Sequence, residues 1–271
     1  MKKSFVLLAA AILSLLTFTP ALAGMLEING STTVLPIAQM VAEQYMKDYP
    51  ETRISISGGG SGNGIKAIID GTTDIANSSR FIKQSEVDQA VAKGRYPVPF
   101  AIAYDALTPV VHPTNPVGNL TLAQLKDIYM GKIKNWSELG GDNRPIVVIS
   151  RDTSSGTYES WSEIVLKGER VFPGAQLLAS SGAVATAVAA NKNAVGYVGI
   201  GYVNPSVKAV AVEGIVGSAE TAMNGTFPIA RALFVFTAGW PKGEAMHFIN
   251  YLLNPEKGQP LVKQAGFVPL Y

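Results

Sequence analysis

The sequence contains no cysteine. That excludes disulfides, thiolate-ligated metals and the lipidated cysteine that tethers many exported chains to a membrane. Histidine is nearly absent as well, with His112 and His247 the only two. His112 ends an apolar run before Pro113 and His247 falls in an apolar helical stretch, so neither sits beside a candidate nucleophile. With no Gly-x-Ser-x-Gly elbow and no His-x-x-x-His pair, the chain offers little to an acyl-transfer or metal-dependent enzyme, and no catalytic residue, metal or other cofactor is expected. An excess of one charge is missing too: 22 basic residues face 20 acidic ones, and setting aside Lys2 and Lys3 brings them level. A balanced surface carries neither the electrostatic footprint of a nucleic-acid binder nor a polybasic membrane patch.

Long apolar runs are missing everywhere except at the N-terminus. There Lys2 and Lys3 precede an apolar stretch from Phe5 to Leu16, and Ala21-Leu22-Ala23 follows as a small-x-small signal, the pattern of an export segment removed by cleavage. The stretch is shorter than the roughly 20 residues of a membrane span, and Pro20 breaks its end. Residues 1–23 are therefore expected to be cut off before Gly24, leaving a soluble chain of roughly 250 residues, enough for one large domain or two lobes. With no cysteine to carry a lipid, that chain would diffuse freely, which suits an enclosed periplasm.

What is present alternates strand and helix. Met25 to Ile28 reads as a strand, and Val34, Ile37, Ala38, Val41, Ala42 and Tyr45 recur at helical spacing, predicting a helix from about Thr33 to Tyr49 that Pro50 stops. Arg53 to Ser57 alternates as a strand, Ile65, Ile68 and Ile69 suggest a short helix, and Asp74 to Asn77 reads as a strand. Ser85-Glu86-Val87-Asp88 reads as a capping-box start, Val98 to Tyr104 as a strand, and Thr121 to Gln124 as another helix start. Strands at Ile146 to Ser150 and Val195 to Ile200, helices at Tyr158 to Leu166 and Ala183 to Ala190, and a closing strand and helix at Arg231 to Thr237 and Glu244 to Leu253 complete an α/β pattern. Two stretches read as passages between lobes: Phe100 to Thr108, an apolar strand interrupted by Tyr104 and Asp105, and Glu213 to Phe227, rich in small residues.

Three loops rich in glycine and hydroxyls open helices: Gly30-Ser31-Thr32-Thr33, Gly58 to Gly64, and Thr153-Ser154-Ser155-Gly156-Thr157. The first turn of a helix leaves backbone N–H groups unpaired and adds partial positive charge, and serine and threonine add donors, so each loop can cradle an anion. Taken singly, each reads first as a plain helix cap. Their combination with Ser78-Ser79-Arg80 and with Arg151, both at strand ends, favours a ligand site, because open α/β sheets bind ligands beyond the carboxyl ends of their strands. Arginine donates to an oxyanion through a fixed fork, which makes Arg151 the leading candidate, with a salt bridge to Asp152 as its alternative. Gly62-Asn63-Gly64-Ile65-Lys66-Ala67 fits a dinucleotide fingerprint, but the next strand ends in Ser78-Ser79-Arg80 and lacks the acidic residue that would hold a ribose. Trp136, Trp161 and Trp240 are expected to pack and not to bind.

These segments, with Gly60-Ser61-Gly62-Asn63-Gly64-Ile65, Asp74 to Arg80, Gly131 to Trp136 and Asn191 to Gly196, resemble the phosphate-binding proteins of bacterial phosphate ABC importers over essentially the whole mature chain. The resemblance implies a two-lobed periplasmic-binding-protein fold of the Venus-flytrap type II kind with two hinge crossings, lobe I formed by 24–104 and 225–271 and lobe II by 105–224. It implies a monomer that holds inorganic phosphate between the lobes and hands it to a membrane permease, with no nucleic acid involved. By motif the ligands would be the Thr32 hydroxyl, the Thr33 N–H, Ser61, Ser79, Arg151, Ser155, the Gly156 N–H and Thr157, with Ser31, Ser78, Arg80 and Asp152 beside them. Longer family members carry an aspartate where Ser79 stands, which accepts the proton of hydrogen phosphate and repels sulfate. Asp152, or else Asp74, is expected to replace that acceptor, with Arg80 adding positive charge. The same donors would serve molybdate, tungstate or sulfate, which need no acceptor.

Overall fold

The computed structural model describes residues 25–271, and the expected export segment 1–23 lies outside them. The chain opens with β1 (Met25–Gly30), α1 (Leu35–Asp48), β2 (Arg53–Gly58), α2 (Ser61–Asp70), β3 (Ile75–Ser78) and α3 (Gln84–Ala92). β1 lies between β2 and β3 and runs parallel to both, with Ile28 opposite Ile56 and Ile75. The period-2 alternation of β1 buries Leu26 and Ile28, and the helical spacing of α1 buries Ile37, Val41 and Tyr45 against them. α1 ends two residues before Pro50, which disfavours a helical conformation in the residue ahead of it.

The N-terminus of α3 lies two residues earlier than Ser85. Glu86 accepts the backbone N–H of Lys83 at 2.9 Å, so Lys83 is the N-cap and Ser85 lies within the first turn. Glu86 also receives Arg80, which fixes where the helix begins.

β4 (Pro97–Val111) is the long strand that joins the two halves. Its first part pairs antiparallel with β11 (Ala230–Ala238), from Pro97 opposite Ala238 to Ala106 opposite Ala230. Its last part, Leu107 to Val111, pairs instead with β8 (Ala194–Gly199). Between these partners the chain forms β5 (Asn119–Leu120), α4 (Leu122–Tyr129), β6 (Val147–Arg151), α5 (Gly156–Ile164), β7 (Gln176–Leu178) and α6 (Ser181–Ala189), then, after β8, β9 (Lys208–Ala209), β10 (Ala211–Val212) and α7 (Ala219–Met223). After β11 come α8 (Gly243–Leu253) and α9 (Gly258–Gln264). The sheet order β2-β1-β3-β11-β4-β8-β6-β7 thus passes through β4 from one half to the other.

Each half has its own core. Leu26, Ile28, Ile37, Val41, Leu233, Val235, Phe248 and Leu252 form one, and Leu107, Leu125, Tyr129, Trp136, Trp161, Tyr197 and Phe227 are among those that form the other. In the second, Trp161 stacks on Tyr197 with ring centroids 4.3 Å apart, an arrangement that adds about 0.5–1.5 kcal/mol beyond area burial. Trp136 donates its Nε1–H to the Asn193 carbonyl at 2.9 Å. Trp240 differs from the other two: it is exposed and leans on Phe100. Among the described residues no helix is long and apolar enough to cross a membrane.

Candidate functional site

The carboxyl ends of β1, β3 and β6 and the N-termini of α1, α2, α5 and α6 converge between the halves. β1 turns sharply at Gly30, whose φ of +135° and close approach to Asn77, where a Cβ would stand 2.2 Å from the carbonyl oxygen, only glycine tolerates. The turn delivers Thr32 and Thr33 into the interface. Ser31 stays behind: its Oγ accepts the N–H groups of Thr33 and Val34 at 3.2 and 3.4 Å and so caps the turn. Ser78 is likewise spent locally, donating to the Arg80 carbonyl at 2.7 Å.

The remaining hydroxyls form a chain across the cleft. Ser61 Oγ lies 3.2 Å from Ser79 Oγ, Ser79 Oγ 3.3 Å from Thr157 Oγ1, Thr157 Oγ1 2.7 Å from Thr33 Oγ1, and Thr33 Oγ1 3.3 Å from Ser181 Oγ. Thr32 Oγ1 accepts the Ser181 N–H at 3.2 Å. All of these residues are buried. Ser155 is buried beside them and caps α5 by accepting the Tyr158 N–H at 3.2 Å. At Gly156 the halves press close together, since a Cβ there would stand 2.4 Å from Ser61 Oγ and 2.8 Å from Ser61 Cβ. Two contacts seal the rim: the Gly62 N–H donates to the Ser154 carbonyl at 2.9 Å, and Ser154 Oγ stands 3.1 Å from the Gly59 carbonyl.

Arg151 ends the chain of hydroxyls. It is 1 % exposed, and its guanidinium donates from Nε to the Leu178 carbonyl at 3.0 Å, from Nη2 to the Ala179 carbonyl at 2.9 Å and from Nη1 to Ser181 Oγ at 3.1 Å. The nearest carboxylate, Asp152, stands 3.9 Å from Nη2. Burial lowers the pKa of Arg151 from its ordinary value, with Asp152 opposing that effect. A guanidinium so placed carries a buried charge that carbonyls solvate but nothing neutralises at contact distance.

Arg80 is in the opposite condition. Nη1 and Nη2 clasp the two carboxylate oxygens of Glu86 at 2.8 and 2.7 Å, Nη1 also donates to the Phe81 carbonyl at 2.9 Å, and Nε makes a 2.7 Å ion contact with Glu159, bent away from an aligned hydrogen bond. Burial works to lower its pKa, but Glu86 and Glu159 outweigh burial and the net shift is upward. The expected contribution of Arg80 to the positive charge of the site is therefore cancelled by two carboxylates, because Glu86 reaches back from the first turn of α3 and Glu159 arrives from α5. Asp74 fails as a proton acceptor for a plainer reason: it accepts the Glu27 N–H at 2.8 Å at the start of β3, the end of the strand opposite Ser79. Asp152 accepts the Ser154 N–H at 2.8 Å and the Ser154 hydroxyl through the same oxygen, which makes it a brace of its own loop.

Ser181 and the side chain of Arg231 escaped the sequence reading, and Asp105 was marked there without a part in the site. Ser181 opens α6 and touches both Arg151 and Thr33; Ser180-Ser181 ahead of Gly182 repeats the hydroxyl-at-helix-start pattern of the other loops and could have been read. Arg231 donates to Thr157 Oγ1 at 3.1 Å and pairs with Asp105 at 2.8 Å; Arg231 is the second residue of β11, where no local motif marks it, and Asp105 lies within β4, where the sequence marks it only as an interruption of an apolar strand. His112, whose Nδ1 lies 2.8 Å from Thr114 Oγ1, and the exposed His247 are placed outside this group, and no cluster of three or more potential metal-ligating histidine or acidic side chains occurs among the described residues.

A family profile described as the PBP superfamily domain matches residues 19–256. The phosphate-binding protein PstS of Bacillus subtilis (strain 168) is 31% identical over 248 residues, 91% of this chain and 81% of its own length. A Clostridium perfringens structure with bound phosphate, described as a phosphate ABC transporter substrate-binding protein, superposes with a TM-score of 0.85 at 36% identity, over 92% of this chain and 100% of that one. An ABC-type phosphate transport receptor from Vibrio cholerae gives a TM-score of 0.72 at 32% identity, covering 90% and 99%. On these likenesses, this chain is a member of the PBP superfamily and, within it, of the family of PstS phosphate-binding proteins.

Proposed function

We propose that the protein captures inorganic phosphate between its two lobes, 24–104 with 225–271 and 105–224, and delivers it to an ABC importer, acting as a binding protein and not as an enzyme. The observation that carries this reading is Arg151, a buried guanidinium with no carboxylate at hydrogen-bond distance and Asp152 3.9 Å away, at the end of a chain of buried hydroxyls that spans both halves. The ligand set it supports is Thr32, Thr33, Ser61, Ser79, Arg151, Ser155, Gly156 and Thr157, with Ser181 added. A micromolar Kd requires about 8.2 kcal/mol. Charge-assisted bonds from a guanidinium, worth about 1.5–3 kcal/mol each, together with hydroxyl and helix-start N–H donors, supply that after ordering costs are met.

Binding would favour the closed arrangement, because only there do Thr33 and Ser79 of one half meet Thr157 and Ser181 of the other. The permease would then read the closed surface. Lys2, Lys3, the apolar run and Ala21-Leu22-Ala23 support export to the periplasm. Calorimetric titration of anion-stripped protein with phosphate, alone and in excess sulfate or molybdate, tests the reading. One-to-one phosphate binding that survives both competitors is expected; strong molybdate or sulfate heat without phosphate heat would replace phosphate by that anion.

A further inference from the structure

Arg231 and Asp105 face each other across β11 and β4, in register, where the chain passes between the two halves. Their side chains are 7% and 0% exposed. Arg231 uses one edge on Asp105, with Nε and Nη2 both donating to Oδ2 at 3.0 and 2.8 Å. Asp105 spends its other oxygen on the backbone N–H of Ile200 at 2.9 Å. Gly199 makes this possible, since a Cβ there would stand 2.9 and 3.0 Å from the two carboxylate oxygens. Asp105 is thereby fully occupied and fixes the guanidinium plane.

The outer edge of Arg231 is left for the cleft. Its Nη2 donates to Thr157 Oγ1 at 3.1 Å, and its Nη1 is buried and has no hydrogen-bond partner among the described residues. An unpaired buried N–H of a charged group is costly, and native proteins rarely carry one without a use for it. Thr157 is the hydroxyl at the middle of the chain, 2.7 Å from Thr33 Oγ1. Because Thr157 Oγ1 accepts from Arg231, its own hydrogen is directed elsewhere, toward Thr33 or toward a ligand that displaces that contact. The charge of Arg231 is also felt at Arg151, where it adds to the effect of burial in lowering that pKa.

We propose that Arg231 is a second anion-binding arginine of the cleft, presented by the returning hinge strand, held in place by Asp105, and donating through its outer edge to the anion that Thr157 binds. The proposal rests on the phosphate reading above and adds a ligand that the glycine and hydroxyl loops do not contain. It also gives the hinge a part in binding, since a residue lying on β11 and paired to β4 is pulled on by the anion directly.

The test is calorimetric titration of wild-type protein, Arg231→Gln and the double variant Arg231→Gln/Asp105→Asn with inorganic phosphate, alongside thermal unfolding of each without phosphate. The double variant removes both charges, so no uncompensated carboxylate is left to unfold the hinge. In the proposal, wild-type binds, and both variants lose on the order of 100-fold in phosphate affinity, while the double variant keeps cooperative unfolding near the wild-type midpoint. Wild-type-like affinity in a folded double variant would overturn it and leave the phosphate reading standing, for Arg231 would then serve only to satisfy Asp105. If the double variant does not fold, Arg231→Lys decides in the same way, since it keeps a charge for Asp105 but has no second edge: a comparable loss supports the proposal and wild-type affinity overturns it. Absence of phosphate binding by wild-type protein overturns both readings.

Discussion

Arg80 and Arg151 stand at corresponding places, just after β3 in one half and at the end of β6 in the other, and both are buried. Their neighbours make them opposites. Arg80 is clasped by Glu86 and touched by Glu159, so its charge is consumed in holding the fold and the closed rim together. Arg151 is solvated by two carbonyls and a hydroxyl, so its charge remains to be met by a ligand. An arginine at the end of a strand is thus not a binding residue by position alone; what decides is whether carboxylates have already been brought to it.

The largest effect that comparison implies is on Arg151. Removing one partner of a buried charge-assisted contact costs about 2–5 kcal/mol of binding, roughly 30-fold to several thousand-fold in affinity. Arg151→Met is therefore expected to abolish measurable phosphate heat in the titration. Because no carboxylate is left stranded, the phosphate-free protein should unfold at or above the wild-type temperature. Loss of folding stability in step with loss of binding would mean that Arg151, like Arg80, is a structural charge.

Next comes the close approach of the halves at Gly156. Gly156→Ala places a Cβ against Ser61 and prevents the two walls from meeting without disturbing either core. A ligand whose donors are complete only in the closed form binds in proportion to the population of that form. Phosphate affinity is expected to fall by about tenfold or more, the apo protein should unfold as the wild-type does, and small-angle scattering should report an open shape with phosphate present. A closed shape in the variant would show that Ser61 yields easily.

How much of this was legible beforehand follows from where the information lies. The elements from β1 to β3 stand where apolar periodicity puts them, because Ile28, Ile37, Val41 and Ile65 are spaced by the geometry of the element that buries them, whereas β4 runs on to Val111, past the expected end at Tyr104. The start of α3 was misread because Ser85 is a better cap than Lys83 on composition, and only the contact of Glu86 with Arg80 settles the matter. α9 went unread since Gly258 and Pro260 interrupt its short pattern. In the site, glycine and hydroxyl loops announce themselves locally. The neutralisation of Arg80 by Glu159 and the pairing of Arg231 with Asp105 join residues 79 and 126 positions apart, and nothing nearby in sequence encodes them.

A smaller effect sharpens the role of Arg80. Glu159 reaches from α5 to Arg80 and Lys83 at 2.7 and 2.6 Å, linking the two halves at a site that stays partly exposed, with 17% of the Glu159 side chain accessible. Glu159→Gln removes the charge but keeps the shape. Partly screened pairs contribute about 1 kcal/mol or less, so phosphate affinity should weaken roughly threefold to fivefold. The loss should shrink as salt is raised, because screening weakens the same pairs in the wild-type protein. A loss as large as that of Arg151→Met would make Arg80 a ligand after all.

The smallest effect is expected at Asp152, and it bears on how phosphate is told from sulfate without the aspartate that longer relatives of the family carry at the position of Ser79. Asp152 adjoins Arg151, but one of its oxygens is occupied by the Ser154 N–H and hydroxyl, and the other stands 3.9 Å from the guanidinium. An asparagine can accept the same Ser154 N–H, so Asp152→Asn keeps the loop. Phosphate affinity should change less than about threefold, well under the 1.4 kcal/mol of a tenfold effect, and phosphate should still be preferred over sulfate. The proton of hydrogen phosphate would then be received by a hydroxyl of the chain, with Ser79 best placed since it lies between Ser61 and Thr157. Ser79→Ala separates the two acceptors: it should narrow the preference for phosphate over sulfate while Asp152→Asn leaves it intact, and the reverse pattern in paired titrations would return the acceptor role to Asp152.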